Sequence, residues 1–495
     1  MKKSVDRPRG CPKNPVSGVG AKEVCCTSAR ITWNNEVVRA LLISTYDLGR
    51  QPLGLAAPAA MLRQAGVDVD CVDTSREPLN DEHIRAASLV AFYLPMHTAT
   101  RLAAPLLQRV RAVNPDARLA AYGLYAPLNR AWLEQRGARV LGPDAEDQLL
   151  RFALASETQS PEPKAHSRAF VVPDRTTLLP LTRYAALQMP DGTRRVVGST
   201  DATRGCKHLC RHCPIVPVYQ GRFKAVPVDV VLQDIRAHVA ARAEHITFGD
   251  PDFFNGPTHA RRVVERLATE FPQLTYDVTI KIEHLLAHAD LLPLLKDTGC
   301  LFITSAVESI DDDVLEKLQK GHTRAGFRRA VELCRAADVA LAPTFVPFTP
   351  WTTVEGYIEL LEEIERLDLV EAVAPIQLAI RLLVTAESKL LELPEIRDHV
   401  EPFNPSSLTW PWRHRDARVD ALQTAVMRIA GVQIPRTEAF AAIAETAYAV
   451  TGRTARPGLA LTPPWPGPRP AQAPPYMTEE WYCCAEPGPE QTDLV

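Results

Sequence analysis

Two long stretches of this chain alternate short apolar runs with helical patterns, and no other feature restricts the fold as tightly. In the first, "VVRALLIS" (37–44), "VDVDCVD" (67–73), "LVAFYLP" (89–95), "ARLAAYG" (117–123) and "ARVLG" (138–142) read as strands. Helical patterns fall between them at 54–66, ended by Gly66, and at 102–113. Strands that alternate with helices imply a parallel, doubly wound sheet. An α/β domain over 37–155 is therefore expected, after an irregular leader at 1–36.

A polar, proline-containing link, "ASETQSPEPKAHS" (155–167), leads to the second series, which begins near residue 195. Its strands are expected at 245–249, 275–280, 301–307, 340–348 and 373–380, with helices such as 228–242 and 325–337 between them. Repetition of this kind over 170–400 suits a full or partial (β/α) barrel, which opens its strand ends to substrate. Helical patterns at 418–431 and 438–452 give a helical C-terminal region, 401–455. The remainder, 456–495, starts with "RPGLALTPPWPGPRPAQAPPY" (456–476), whose eight prolines make an extended spacer at roughly 3 Å per residue. At its far end stands "WYCCAEPG" (481–488), with the adjacent thiols Cys483 and Cys484. A disulfide between neighbours closes a small strained ring. The pair therefore points to redox chemistry or to capture of a soft atom.

Charge and hydropathy exclude several classes. The 56 basic and 59 acidic residues leave a net charge of −3, with no electrostatic attraction to nucleic acid or to an anionic membrane. No apolar run approaches the roughly 20 residues of a membrane span. The opening "MKKSVDRPRGCPKNPVSG" has no apolar core and is not a secretory signal. A cytoplasmic, reducing location is expected, where the eleven cysteines are free thiols or ligands rather than a disulfide frame. Cys71, Cys300 and Cys334 fall in strand or helix patterns and are expected in the core.

The sharpest chemical signal is "RGCKHLCRHCPI" (204–215), which spaces Cys206, Cys210 and Cys213 as C-x₃-C-x₂-C. Three thiolates in one short loop suit three corners of an iron–sulfur cluster, leaving one iron open to a small molecule. Structural zinc is the alternative; it wants four ligands, and His208 or His212 would supply the last.

The spacing resembles the radical S-adenosylmethionine (SAM) superfamily. The resemblance implies a [4Fe-4S] cluster whose open iron chelates the amino and carboxylate groups of SAM. An electron, drawn from a donor such as flavodoxin or ferredoxin, then breaks a carbon–sulfur bond. "ITFGDPDFFN" (246–255) looks like the family's segment after the second strand. "SAVESIDDDVLEKLQKGHT" (305–323) resembles its glutamate after the fourth strand, followed by Lys-Gly. His212 departs from the pattern, since the family usually has a large aromatic residue there, packed near the adenine. Residues 37–155 resemble the cobalamin-binding domain that precedes the barrel in many of these enzymes, through "PLGLAAPAAMLRQAGVDVDCVD" (52–73) and "GPDAEDQLL" (142–150). The cobalt-ligating histidine motif is missing: "TYDLGRQ" has no histidine near Asp47 and Gly49. Many relatives bind cobalamin without that histidine, but the expectation here is a sheet kept as scaffold, with no tightly bound cobalamin.

The tail narrows the resemblance. "CCAEP" (483–487), or its selenocysteine form, marks the CUAEP/CCAEP-tail radical SAM proteins. That group resembles the radical SAM enzymes associated with arsenic, including the one of arsinothricin biosynthesis. The likeness implies transfer of the 3-amino-3-carboxypropyl group of SAM to arsenite, giving hydroxyarsinothricin and 5′-methylthioadenosine. Trivalent arsenic is soft and prefers thiolates, so Cys483 and Cys484 are expected to hold the acceptor. A second pair, Cys25 and Cys26, lies in the irregular leader and either binds arsenic or assists, or has no part.

Contacts to SAM should lie at strand ends. Asp250 and Asp252 follow one strand and serve either SAM or a turn. Lys281 follows the next, as a partner for the SAM carboxylate or for an exposed carboxylate such as Glu283. Glu308 matches the family's glutamate, and Arg381 follows the last expected strand, facing a carboxylate or solvent. Two rival readings are a cobalamin-dependent methylase and a non-catalytic sensor of arsenite or redox state.

Overall fold

The computed structural model describes residues 32–33, 36–155, 170–452 and 473–479. The leader with Cys25 and Cys26, most of the link and the tail with Cys483 and Cys484 lie outside them.

The first series forms a five-stranded parallel sheet in the order Asp68–Asp73, Arg39–Ser44, Leu89–Tyr93, Arg118–Tyr122 and Ala138–Val140. Its strands are buried on both faces, which is why they read as unbroken apolar runs. Leu41, Ile43, Val90 and Phe92 feed one core, while Ala40, Leu42, Leu89 and Ala91 feed the other. Helices Leu53–Gln64 and His97–Val113 are among those that cover it. The chain order places a topological switch between the first strand and the third, where successive loops part and leave a crevice at the strand ends.

The second series forms five parallel strands, Arg194–Thr200, His245–Phe248, Thr275–Thr279, Cys300–Glu308 and Ala340–Phe345. Ala186–Gln188 adds antiparallel to the first of these, and Tyr476–Met477 adds antiparallel to Ala186–Gln188. The barrel is thus partial. The strand expected at 373–380 is absent: Pro375–Leu378 is a 3₁₀ turn, and only a single bridge, Phe348 to Arg381, continues the sheet. Pro375 has no N–H for a ladder. The Gln377 side chain instead accepts a hydrogen bond from the Phe345 N–H, at 3.2 Å. Helices Ala417–Ala430 and Arg436–Val450 close the C-terminal side. Cys71, Cys300 and Cys334 are buried as expected. Among the described residues, no helix is long and apolar enough to cross a membrane.

Among the contacts that hold the sheets against each other, two carry much of the seam. Arg175 donates to Asp234 at 2.9 and 3.0 Å and to the Ser199 carbonyl at 2.8 Å on the barrel, and to Gln51 Oε1 at 3.0 Å on the first unit. The C-terminal segment makes the second contact. Thr478 N–H donates to the Ala186 carbonyl at 2.9 Å. The Glu479 carboxylate accepts from Tyr46 Oη at 3.0 Å and from Arg76 at 3.2 Å. Gly49, at φ +68°, lets this happen, since a Cβ there would lie 2.7 Å from the Glu479 Cβ.

Candidate active site

The cysteine loop leaves the barrel between Thr203–Gly205 and Phe223–Ala225, which pair antiparallel. It is braced from several sides. Asn255 donates to the Gly205 carbonyl and accepts from Lys207 N–H, both at 3.1 Å. Arg211 bonds the Lys317 carbonyl through its side chain at 2.8 Å and the Leu318 carbonyl through its N–H at 3.0 Å. Both ring nitrogens of His208 face carboxylates, Asp252 at 3.1 Å and Glu283 at 3.4 Å. His284 also meets Asp252, at 2.6 Å. These are hydrogen-bond distances, and they commit His208 elsewhere than to a zinc held by the thiols.

Cys206 and Cys210 are buried and Cys213 is half-buried. Burial pushes the Cys206 thiol up to about 11 and Cys213 higher still. Two such thiols in one loop ionise together only against a strongly cationic partner, which a bound metal centre supplies. Orphaned polar atoms ring the same place: His212 Nδ1 and both nitrogens of His322 are buried without a hydrogen-bond partner. The residues therefore fit a cluster with SAM beside it.

Glu308 ends its strand at a register shift, with φ +68°, a conformation a non-glycine residue holds only when its surroundings impose it. Its carboxylate lies 3.0 Å from His212 Nε2 and 3.3 Å from Lys320 Nζ. Burial alone would raise this carboxyl, but the Lys320 charge and the His212 contact hold it down, from 4.5 to about 2. A depressed carboxylate contributes stability that is complete above the unfolded value and is lost as pH falls through the folded one. Glu308→Gln should therefore be less stable than the parent at neutral pH, by on the order of 3 kcal/mol. The gap should close between pH 4.5 and about 2, as urea melts across that range would show. A gap independent of pH would refute the assignment.

A cavity of about 340 Å³ opens between the two sheets. One wall is the switch point of the first sheet, with Asp47, Leu48 and Arg50 from one loop and Tyr93, Pro95 and Met96 from the other. The other wall is the barrel mouth, with Cys213, His212, Asp250 and Glu308. Burial pushes Asp47 up to about 7 and Asp250 up to about 8. No histidine from the first sheet lines it.

The structure brings together only part of the expected set. Asp250 and Glu308 line the cavity. Asp250 also holds the turn before the cysteine loop, accepting from Ala202 N–H at 2.8 Å and Thr203 Oγ1 at 2.6 Å. Asp252 is a brace for His208 and His284. Lys281 is not exposed; it donates to Cys210 Sγ at 3.6 Å and to Glu283 at 3.3 Å. Arg381 is held by Asp420 at 2.6 Å and lies 3.5 Å from the Trp412 ring centre, with its side chain 25% exposed and outside the cavity lining. Sequence reasoning missed Lys320, His322 and the first-sheet wall. "QKGHT" is a sequence signal for the first two, but the wall depends on strand order, which no motif encodes.

Residues 201–363 match the Radical SAM superfamily. The tRNA-2-methylthio-N(6)-dimethylallyladenosine synthase of Herpetosiphon aurantiacus is 22% identical over 280 residues, 53% of this chain and 58% of that one. The hopanoid C-3 methylase of Methylococcus capsulatus is 22% identical over 160 residues, 32% of this chain and 30% of that one. The chain thus spans only part of the curated relatives it matches. Among solved structures, the cobalamin-dependent SAM radical enzyme OxsB, with aqua-cobalamin and SAM bound, aligns over 83% of this chain and 72% of its own, with a TM-score of 0.63 at 12% identity. The radical SAM methyltransferase TsrM from Kitasatospora setae, with cobalamin and a [4Fe-4S] cluster bound, aligns over 67% and 70%, with a TM-score of 0.54 at 16% identity. At such identities these likenesses speak for the fold. They give no support to the expected absence of cobalamin. The radical SAM match thus falls on the barrel half of the chain, and the five-stranded sheet with its partial barrel shares the fold of these two solved enzymes.

Proposed function

We propose that this protein is a cytoplasmic radical SAM transferase that moves the 3-amino-3-carboxypropyl group of SAM onto trivalent arsenic held by Cys483 and Cys484. The observation that supports it is the seat of Glu479. That residue is bonded to Tyr46 and packed on Gly49, in the same loop whose Asp47, Leu48 and Arg50 line the cavity. Cys483 follows four residues later, so chain reach limits it to within roughly 14 Å of that rim. Cys206, Cys210 and Cys213 would hold the cluster, which when bound supplies the electron that opens a carbon–sulfur bond. Asp250 and Glu308 line the space for SAM, Glu308 fixed by Lys320 and His212. Overall the arsenic lone pair supplies the new carbon–arsenic bond, with one of its electrons pairing with the alkyl carbon and the other replacing the electron spent on opening the bond, so arsenic rises from +3 to +5 and 5′-methylthioadenosine leaves with neutral sulfur. The transfer consumes no net reductant, so a ferredoxin- or flavodoxin-type donor only starts it.

The cavity favours a second reading, cobalamin-dependent methyl transfer, because it sits at the switch point of the first sheet and reaches Cys213. Tyr93 and Tyr125 would face a corrinoid there, with no imidazole from that wall for cobalt. Anaerobic reduction with SAM and arsenite separates the two. The first reading expects 5′-methylthioadenosine and a product carrying the aminocarboxypropyl group. Stoichiometric cobalt in protein from cobalamin-fed cells, with S-adenosylhomocysteine as product, would replace it with the second.

A further inference from the structure

Behind the cysteine loop, away from the cavity lining, lies a group of buried donors that the transfer does not use. Lys281 is 7% exposed, and its ammonium sits 3.6 Å from Cys210 Sγ. Lys320 is 3% exposed, and its charge is felt at Cys210 and Cys213 as well as at Glu308. His322, 8% exposed, lies within electrostatic reach of both lysines. Neither of its ring nitrogens has a partner, the Lys320 backbone approaching only outside hydrogen-bond geometry. A buried unsatisfied donor costs stability. Gly321, at φ +75°, keeps this turn tight, since a Cβ there would meet Glu283 Oε2 at 2.4 Å. The chain has therefore placed two buried cations beside the cysteine loop, one of them in contact with Cys210.

We propose that Lys281 hydrogen-bonds to the Cys210 sulfur of the bound cluster and raises the cluster's reduction potential. The inference rests on the cluster at Cys206, Cys210 and Cys213, and not on arsenic or on cobalamin. Each electron added makes the cluster more negative, so a nearby ammonium or N–H stabilises the reduced form more than the oxidised one. Hydrogen bonds to cluster sulfurs are a recognised control on potential. Glu283 opposes the effect, since its carboxylate lies 3.3 Å from the Lys281 ammonium.

The test is a dye-mediated redox titration without SAM, read by electron paramagnetic resonance, on reconstituted variants whose iron content is measured first. Absence of iron in the parent would be a failure of the cluster itself, distinct from failure of this assignment. Lys281→Met should make reduction about tenfold less favourable, a downward shift of about 59 mV for one electron. Lys281→Arg should recover most of it. Glu283→Gln, at a side chain 44% exposed and so tolerant of change, should shift the potential the opposite way, and it serves if Lys281→Met fails to hold iron. A wild-type potential in Lys281→Met, or no upward shift in Glu283→Gln, overturns the role of Lys281.

Discussion

Replacing Cys206, Cys210 and Cys213 together by serine is expected to cut iron from about four atoms per chain to background, bleach the brown absorbance and end all SAM cleavage. The loss should be complete, because three thiolates in one loop are the whole protein contribution to the cluster. It should also be clean. The loop is tied down by Asn255, Arg211 and His208, none of which depends on the thiols. The triple variant should therefore melt close to the cluster-free parent. Removing Asp252, by contrast, unties His208 and His284 together and should loosen the loop itself. A triple serine variant that retains iron would sink the cluster assignment.

The second large effect belongs to the tail. Cys483→Ser with Cys484→Ser should leave iron and SAM binding intact and reduce transfer to arsenic at least a hundredfold. A thiolate chelate supplies both affinity and position, and position alone is worth several kcal/mol. Uncoupled SAM cleavage should persist. Glu479→Gln weakens the anchor without touching a thiol, and should give a smaller loss that appears mainly as a raised KM for arsenite. Wild-type yields of the organoarsenical from the double serine variant would show that the tail is not the acceptor, and Cys25 with Cys26 would be tested next.

Much of the scaffold was legible because five strands in each sheet run parallel. Their strands are buried on two faces, so "RALLIS" and "LVAFY" are unmistakable apolar runs. The same cue failed at 373–380, where an apolar run follows a proline and folds as a 3₁₀ turn. Apolarity reports burial, and burial alone does not choose a strand. At the site, strand-end logic placed Lys281 and Arg381 near the mouth in sequence, yet it carries no direction. One points to Cys210 and the other stacks on Trp412. Glu308 was legible through its motif, though its positive φ was not. The partners of Glu479, Tyr46 and Arg76, lie more than 400 residues away, beyond the reach of any local pattern.

The pairing of Tyr476–Met477 with Ala186–Gln188 also occupies the outermost edge of the barrel sheet. An uncovered edge offers unpaired N–H and C=O groups to any other chain and is a template for aggregation. Cutting the protein before residue 476 would strip that cover along with the thiols. Such a truncation would then report self-association and inclusion-body formation as much as lost chemistry. The short strand thus acts as a solubility device carried on the same segment as the thiol pair, and the two can be separated only by point substitution.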